Sequence, residues 1–225
     1  MTVIKNDSAV YEFHVKDRIS TLTHLCGCIA AVIGMPVMLI HGARMGADIA
    51  ALSSCAVFMI GMIVLYGASA SYHAFDSTPA VNDILKKIDH LSIFILIAAS
   101  YTPVCTIALR ETIGSTLMAV IWSIAAAGMI FKLFFVYCPR WVSSVLYTAM
   151  GWACIFVVPS IWKAVGTPGF WWLLAGGVFY SVGAVIYACR IPLTKDPEFG
   201  NHEIFHCFVL AGSLCHYLFV LLYLL

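Results

Sequence analysis

The sequence predicts an all-α membrane protein: a seven-transmembrane helix bundle with a cytoplasmic amino terminus and an external carboxyl terminus. Three observations carry this. Of the 225 residues, 62% are hydrophobic and only 10% are charged, against about 25% charged in an ordinary soluble domain. The apolar residues gather into runs close to the ~20 residues that a helix needs to cross a bilayer. Lysine and arginine crowd one side of the resulting topology, as they do in cytoplasmic loops. A chain this short has too little interior to hide so much apolar surface from water. Lipid must cover it.

The elements follow in order. Residues 1–18 are polar, holding Lys5, Asp7, Glu12, Lys16, Asp17 and Arg18, and read as a cytoplasmic segment. No cleavable signal peptide is expected, because the first apolar run already has the length of a span. Spans are expected at 19–41, 49–74, 85–109, 114–137, 142–163, 170–190 and 203–225, which together make one transmembrane domain, 19–225. Short connections at 41–48, 76–83, 110–112, 138–141, 163–169 and 190–201 separate them. Pro79, Pro139, Pro168, Pro192 and Pro197 stand in or beside these breaks, where proline is tolerated. Pro103 is expected to kink the third helix. A barrel is excluded, since its strands are short and alternate polar with apolar residues.

Orientation comes from the basic residues. Lys5, Lys16, Arg18, Lys86, Lys87, Lys132, Arg140, Arg190 and Lys195 fall on the amino-terminal side, and only Arg44, Arg110 and Lys163 on the other. That asymmetry places the amino terminus inside. With a net charge of +1 and no basic cluster, nucleic acid is not an expected partner. The nine cysteines lie almost entirely in apolar runs without a C-x-x-C pair, and read as small packing residues. Tryptophans 141, 152, 162, 171 and 172 lie mostly near span ends and read as interfacial anchors. Gly176, Gly177 and Gly183 give the sixth span a face for close helix packing.

Ionisable groups inside a membrane are costly and call for an account. The second span ends at the cytoplasmic side with Ser69 and His73. The third begins there with Asp89 and His90, and the seventh with His202, Glu203 and His206. His202 and His206 are four residues apart and project from one helical face; Ser69 and His73 do likewise. Two histidines from one helix and a third, His73, from another can make a three-nitrogen metal site. A catalytic zinc commonly has three protein ligands and leaves its fourth position to water. Asp89 is then available to orient or deprotonate that water, and Ser69 to hydrogen-bond it or a developing oxyanion. His90 directly follows Asp89 and is expected to face elsewhere. His216 lies about 15 Å further along the helix. His24, His90 and Glu203 are expected, at most, to support the ligands from behind.

The segments from Ser69 to His73, from Lys87 through Asp89 and His90 to Pro103, and from His202 to His206 resemble the hemolysin III branch of the progestin and adipoQ receptor family. Asp17, Thr23, His24 and Gly27 fit the same branch, and the resemblance covers essentially the whole chain. It implies a seven-helix bundle with an internal amino terminus and a zinc ion near the cytoplasmic face. In that family three histidines hold the metal, and they map onto His73, His202 and His206; the motif aspartate and serine map onto Asp89 and Ser69. Several relatives carry a glutamate four residues before the serine, where this chain has Leu65. The resemblance extends to membrane hydrolases that include alkaline ceramidases, and the small size to a bacterial plasma membrane.

The expected chemistry is zinc-dependent hydrolysis of a membrane lipid amide, with an ester as second choice, at the inner leaflet. A rival from another class is a non-enzymatic membrane-homeostasis or lipid-sensing protein with a structural metal. A pore-forming hemolysin finds no support, because no helix carries a charged stripe to line a channel. A retinal pigment is excluded by the absence of lysine from 203–225.

Overall fold

The computed structural model describes residues 15–196 and 198–225. Residues 1–14 and Pro197 lie outside them, and with them most of the expected cytoplasmic segment. The described residues contain helices and no strand. The helices are α1 (Arg18–Arg44), α2 (Ile49–Ala74), α3 (Pro79–Pro103), α4 (Gly114–Phe134), α5 (Arg140–Gly151), α6 (Val158–Cys189) and α7 (Asn201–Phe219). A π-helical turn, Val104–Ala108, continues α3; a 3-10 segment, Trp152–Val157, joins α5 to α6; a second π turn, Val220–Leu224, follows α7.

Local chemistry sets several boundaries. Asp48 caps α2, its carboxylate accepting from the Ala51 amide at 2.8 Å. α3 starts at Pro79, six residues before the expected 85, because Thr78 caps it and proline suits the first helical position. The far end of α3 meets Pro103, which has no N–H to return to the preceding turn, and the backbone relaxes into the π turn. Gly114 opens α4 against that turn. A Cβ there would stand 2.1 Å from the Cys105 carbonyl oxygen, so only glycine fits.

Among the described residues, six helical stretches are long and apolar enough to cross a membrane. One of them runs through Arg140–Cys189, 50 residues, which would reach about 75 Å if straight. It is not straight. Gly166 has φ 69° and ψ 177°, outside any helical conformation, and the 3-10 segment lies before it. The expected spans 142–163 and 170–190 fall on either side of Gly166.

The bundle is built inside out. Ile49 and Phe156 are 83% and 88% exposed, with many other large apolar side chains on the same outer surface. Ser69, His73, Asp89 and His206 are buried. An apolar exterior around polar groups suits hydrocarbon as the solvent. α1 packs on α2, α2 on α3 and α6 on α7, while α7 also touches α1. That last contact brings the first and last helices together beside the end of α2.

Candidate metal centre

Close packing of α1 against its neighbours prepares the site. At Gly27 a Cβ would lie 2.5 Å from the Leu210 side chain and 3.1 Å from Tyr66. Glycine therefore lets α1 approach α2 and α7 closely, about one turn along α1 from His24. α7 is started by a cap in which the Glu203 carboxylate accepts from the Gly200 amide at 2.8 Å. This fixes the turn that projects His202 and His206 from one face.

Three imidazoles converge there. Ring nitrogens of His73, His202 and His206 all lie within 4.8 Å of one another, a group that could hold a metal ion. His73 Nε2 and His202 Nε2 are 3.0 Å apart. Nitrogens bound to one tetrahedral ion at 2.0–2.1 Å would be separated by about 3.3 Å. The closest pair already matches that spacing, and the widest must close by roughly 1.5 Å, within reach of a half-buried ring such as His202.

Neighbouring side chains fix which nitrogen each ring offers. His73 Nδ1 lies 2.8 Å from Asp17 Oδ2. An ionised carboxylate only accepts, so Nδ1 carries the proton and Nε2 keeps its lone pair. His206 Nδ1 lies 3.2 Å from Thr23 Oγ1. The Thr23 hydroxyl already donates to the Ser20 carbonyl at 2.9 Å, so it accepts from His206, and His206 too is left with a bare Nε2. Both rings are therefore set in the tautomer that binds a soft-to-borderline cation.

The remaining expected residues sort themselves. Ser69 and Asp89 are both buried and side by side, the hydroxyl against the carboxylate. Both line one cavity of about 220 Å³ together with His202 and His206. Its wall is largely apolar and follows α7 from His202 to Phe219, about 25 Å along the helix. His90, expected to face away, lines the same cavity, with its carbonyl accepting from Tyr147 Oη at 3.0 Å. His216 borders the far end and bonds the Leu173 carbonyl. Glu203 stays out of the cavity lining: its carboxylate accepts from Ser20 Oγ at 2.6 Å and from the Gly200 amide. It ties α7 to α1 and caps α7. His24 stacks on His206, ring centroids 3.5 Å apart and planes 7° from parallel.

Two residues with direct hold on the histidines were not singled out from spacing: Asp17 and Thr23. Their signal was depth. Both sit at the start of the first span, at the level expected for His73 and His206.

Comparison with known proteins agrees with this architecture and with the resemblance read from the motifs. The family described as haemolysin-III related matches residues 13–217. Hemolysin-3 of Bacillus cereus is 36% identical over 213 residues, covering 94% of this chain and 93% of its own length. Hemolysin-3 homolog of Bacillus subtilis (strain 168) is 35% identical over 214 residues, covering 94% and 96%. Adiponectin receptor protein of Drosophila melanogaster is more distant, 24% identical over 214 residues, covering 87% of this chain and 48% of its own length. With its apolar helices, its cluster of three converging histidines and a match over nearly its whole length, the chain is a multi-pass integral membrane protein belonging to the haemolysin-III related family.

Proposed function

We propose that this chain is a seven-span protein of a bacterial plasma membrane, amino terminus inside, that hydrolyses a lipid amide at inner-leaflet depth with a zinc centre on His73, His202 and His206. An ester is the second choice of substrate. The seven-span reading is supported by Gly166, whose non-helical backbone divides a tract too long for a single crossing. The bacterial relatives support the location. One observation carries the function: three imidazoles within 4.8 Å stand beside an apolar cavity whose wall also holds Asp89 and Ser69.

The donor set fits zinc, with neutral imidazole nitrogens aimed inward and their outer nitrogens held by Asp17 and Thr23. When bound in such a three-nitrogen site, zinc supplies Lewis acidity and a lowered pKa for water. The protein groups do the rest. The cavity wall holds the acyl chain and keeps bulk water away. An Asp89 carboxylate oxygen accepts the proton of the attacking water and passes it to the leaving amine. Ser69 Oγ–H donates to the oxyanion that develops on the carbonyl oxygen.

Elemental analysis combined with a lipid-release assay tests this. His206→Ala should abolish stoichiometric metal, whereas Asp89→Asn should keep it and lose turnover. A His206→Ala protein with full metal content overturns the ligand set. Metal-loaded wild type that cleaves neither lipid amides nor lipid esters points instead to a membrane sensor with a structural ion.

A further inference from the structure

Lys132, near the end of α4, is 0% exposed, and no carboxylate among the described residues pairs with it. Its Nζ donates to Ser143 Oγ at 2.5 Å and to Cys138 Sγ at 3.2 Å, which uses two of the three donors of an ammonium. Holding a loop on the cytoplasmic side calls for positive charge but not for burial. A buried charge without a counter-ion is costly, so the position asks for an anion nearby.

The cavity offers room for one. α5 turns a polar face towards it, with Ser143, Ser144, Tyr147 and Thr148 in the lining. Because Ser143 Oγ accepts from Lys132, its own O–H is free to turn from the Cys138 sulfur, 3.5 Å away, into the cavity. Ser144 is 8% exposed, and its hydroxyl has no hydrogen-bond partner among the described residues. No side chain caps the start of α5, so nothing on the protein neutralises the partial positive charge of that end. Arg140, the first residue of α5, lays its guanidinium over the ring of Tyr187, a cavity residue, 4.9 Å from its centre. Lys132 acts electrostatically on His90 and Arg140 on His202, so both charges stand at the triad's end of the cavity. Lys16 and Lys86 act there too, on Asp89. Among the described residues Asp89 is the one carboxylate in the lining, and four cations outweigh it.

We propose that the start of α5 is an anion subsite of the cavity, where Ser143 and Ser144 donate to the charged headgroup of an anionic phospholipid and Lys132 and Arg140 supply its counter-charge. The inference rests on the reading of the cavity as a lipid site, and it goes further by naming the headgroup class and the residues that select it. A net negative headgroup completes the buried ammonium, whereas a zwitterionic one brings its own cation into a region already positive.

The test uses the purified full-length chain in a non-ionic detergent and two probes with the same tails, dioctanoyl phosphatidylglycerol and dioctanoyl phosphatidylcholine, titrated by calorimetry. Wild type should bind the glycerol lipid about tenfold more tightly than the choline lipid. Lys132→Met fills the same buried space without charge, a replacement that folds tolerate, and it should abolish the preference. The double variant Ser143→Ala/Ser144→Ala should weaken the glycerol lipid about three- to tenfold and leave the choline lipid unchanged. Lys163→Met removes a charge from the other side of the bundle and should keep the preference. Equal binding of the two lipids by wild type overturns the proposal, as does a preference that survives in both Lys132→Met and the double serine variant. A preference lost to the same degree in Lys163→Met overturns it too, because net charge alone would then explain it. Inorganic phosphate that displaces the lipid at equal concentration reassigns the subsite to a free anion. Since the titration reads neither turnover nor metal, a clear preference in a protein that cleaves no lipid keeps the subsite and removes only the hydrolase reading.

Discussion

Asp17 Oδ2 and His73 Nδ1 meet at 2.8 Å and join the start of α1 to the end of α2 across 56 residues of sequence. The contact holds the imidazole in one tautomer and one orientation, with Nε2 presented to His202 and His206. Asp17→Ala should therefore weaken metal binding about 10- to 100-fold, the usual effect of removing such a supporting carboxylate. Titration against a competing chelator would measure it. Asp17→Asn, which can still accept from Nδ1–H, should fall between the two. Unchanged affinity in Asp17→Ala would show that the contact is incidental.

A second tie lies on the opposite side of the bundle. Arg110 grips Asp48 with two bonds, Nη1 to Oδ2 at 2.6 Å and Nη2 to Oδ1 at 3.0 Å. The guanidinium, with the Ala51 amide, pulls the Asp48 carboxyl down to about 2. A carboxyl whose pKa is lower folded than unfolded stabilises the fold above its unfolded pKa, near 3.9. That stabilisation fades as pH falls through about 4 towards 2. The site is exposed, so the effect is small and screened by salt. Asp48→Asn keeps a good helix cap; it should melt slightly below wild type at pH 6, and the difference should shrink below pH 4. Thermal melts across that range would check the sign, and a gap that widens in acid would contradict it.

α2 and α3 pack closely at Gly61, where a Cβ would lie 2.6 Å from Ala99 Cβ. A methyl group cannot swing aside as a longer side chain does, so Gly61→Ala must push the two helices apart. About 1–3 kcal/mol of destabilisation is expected, read as a lowered melting temperature in detergent. An unshifted transition would mean that the helices move freely here.

Ser213 holds two phenols, that of buried Tyr66 at 2.6 Å and that of half-buried Tyr180 at 2.7 Å. Ser213→Ala leaves both hydroxyls short of a partner and should cost ~1–2 kcal/mol. Tyr66→Phe removes one donor and leaves the Tyr180 contact intact, so it should cost less. The double variant should cost less than the sum, since the two changes share one network. Strict additivity would show that Ser213 and Tyr66 act independently.

The helices could be read from the chain because lipid imposes a simple rule: long apolar runs broken by polar turns. The boundaries that differ are those decided by a few atoms. Thr78 and Pro79 start α3 early through a cap, and Gly166 interrupts a continuous helical tract through one backbone conformation. At the site, His202 and His206 were visible from their spacing, and His73 from its depth. Asp17 and Thr23 entered only through the family resemblance, without a role, because their partners lie 56 and 183 positions away and no spacing joins them. Those contacts depend on how closely α1 approaches α2 and α7, a distance that Gly27 sets and that no periodicity records. His90 was misjudged for a related reason. The cavity is broad enough for adjacent residues of α3 to share its wall.

The triad draws one nitrogen from α2 and two from α7, and its supports come from α1. A ribosome delivers these pieces at opposite ends of translation. During synthesis α1 and α2 are made early, and four further helices, α3 to α6, must follow before α7 arrives. The three nitrogens stand together only once α7 is in place, so an ion that needed all three would be taken up last, and an arrested chain would stay empty.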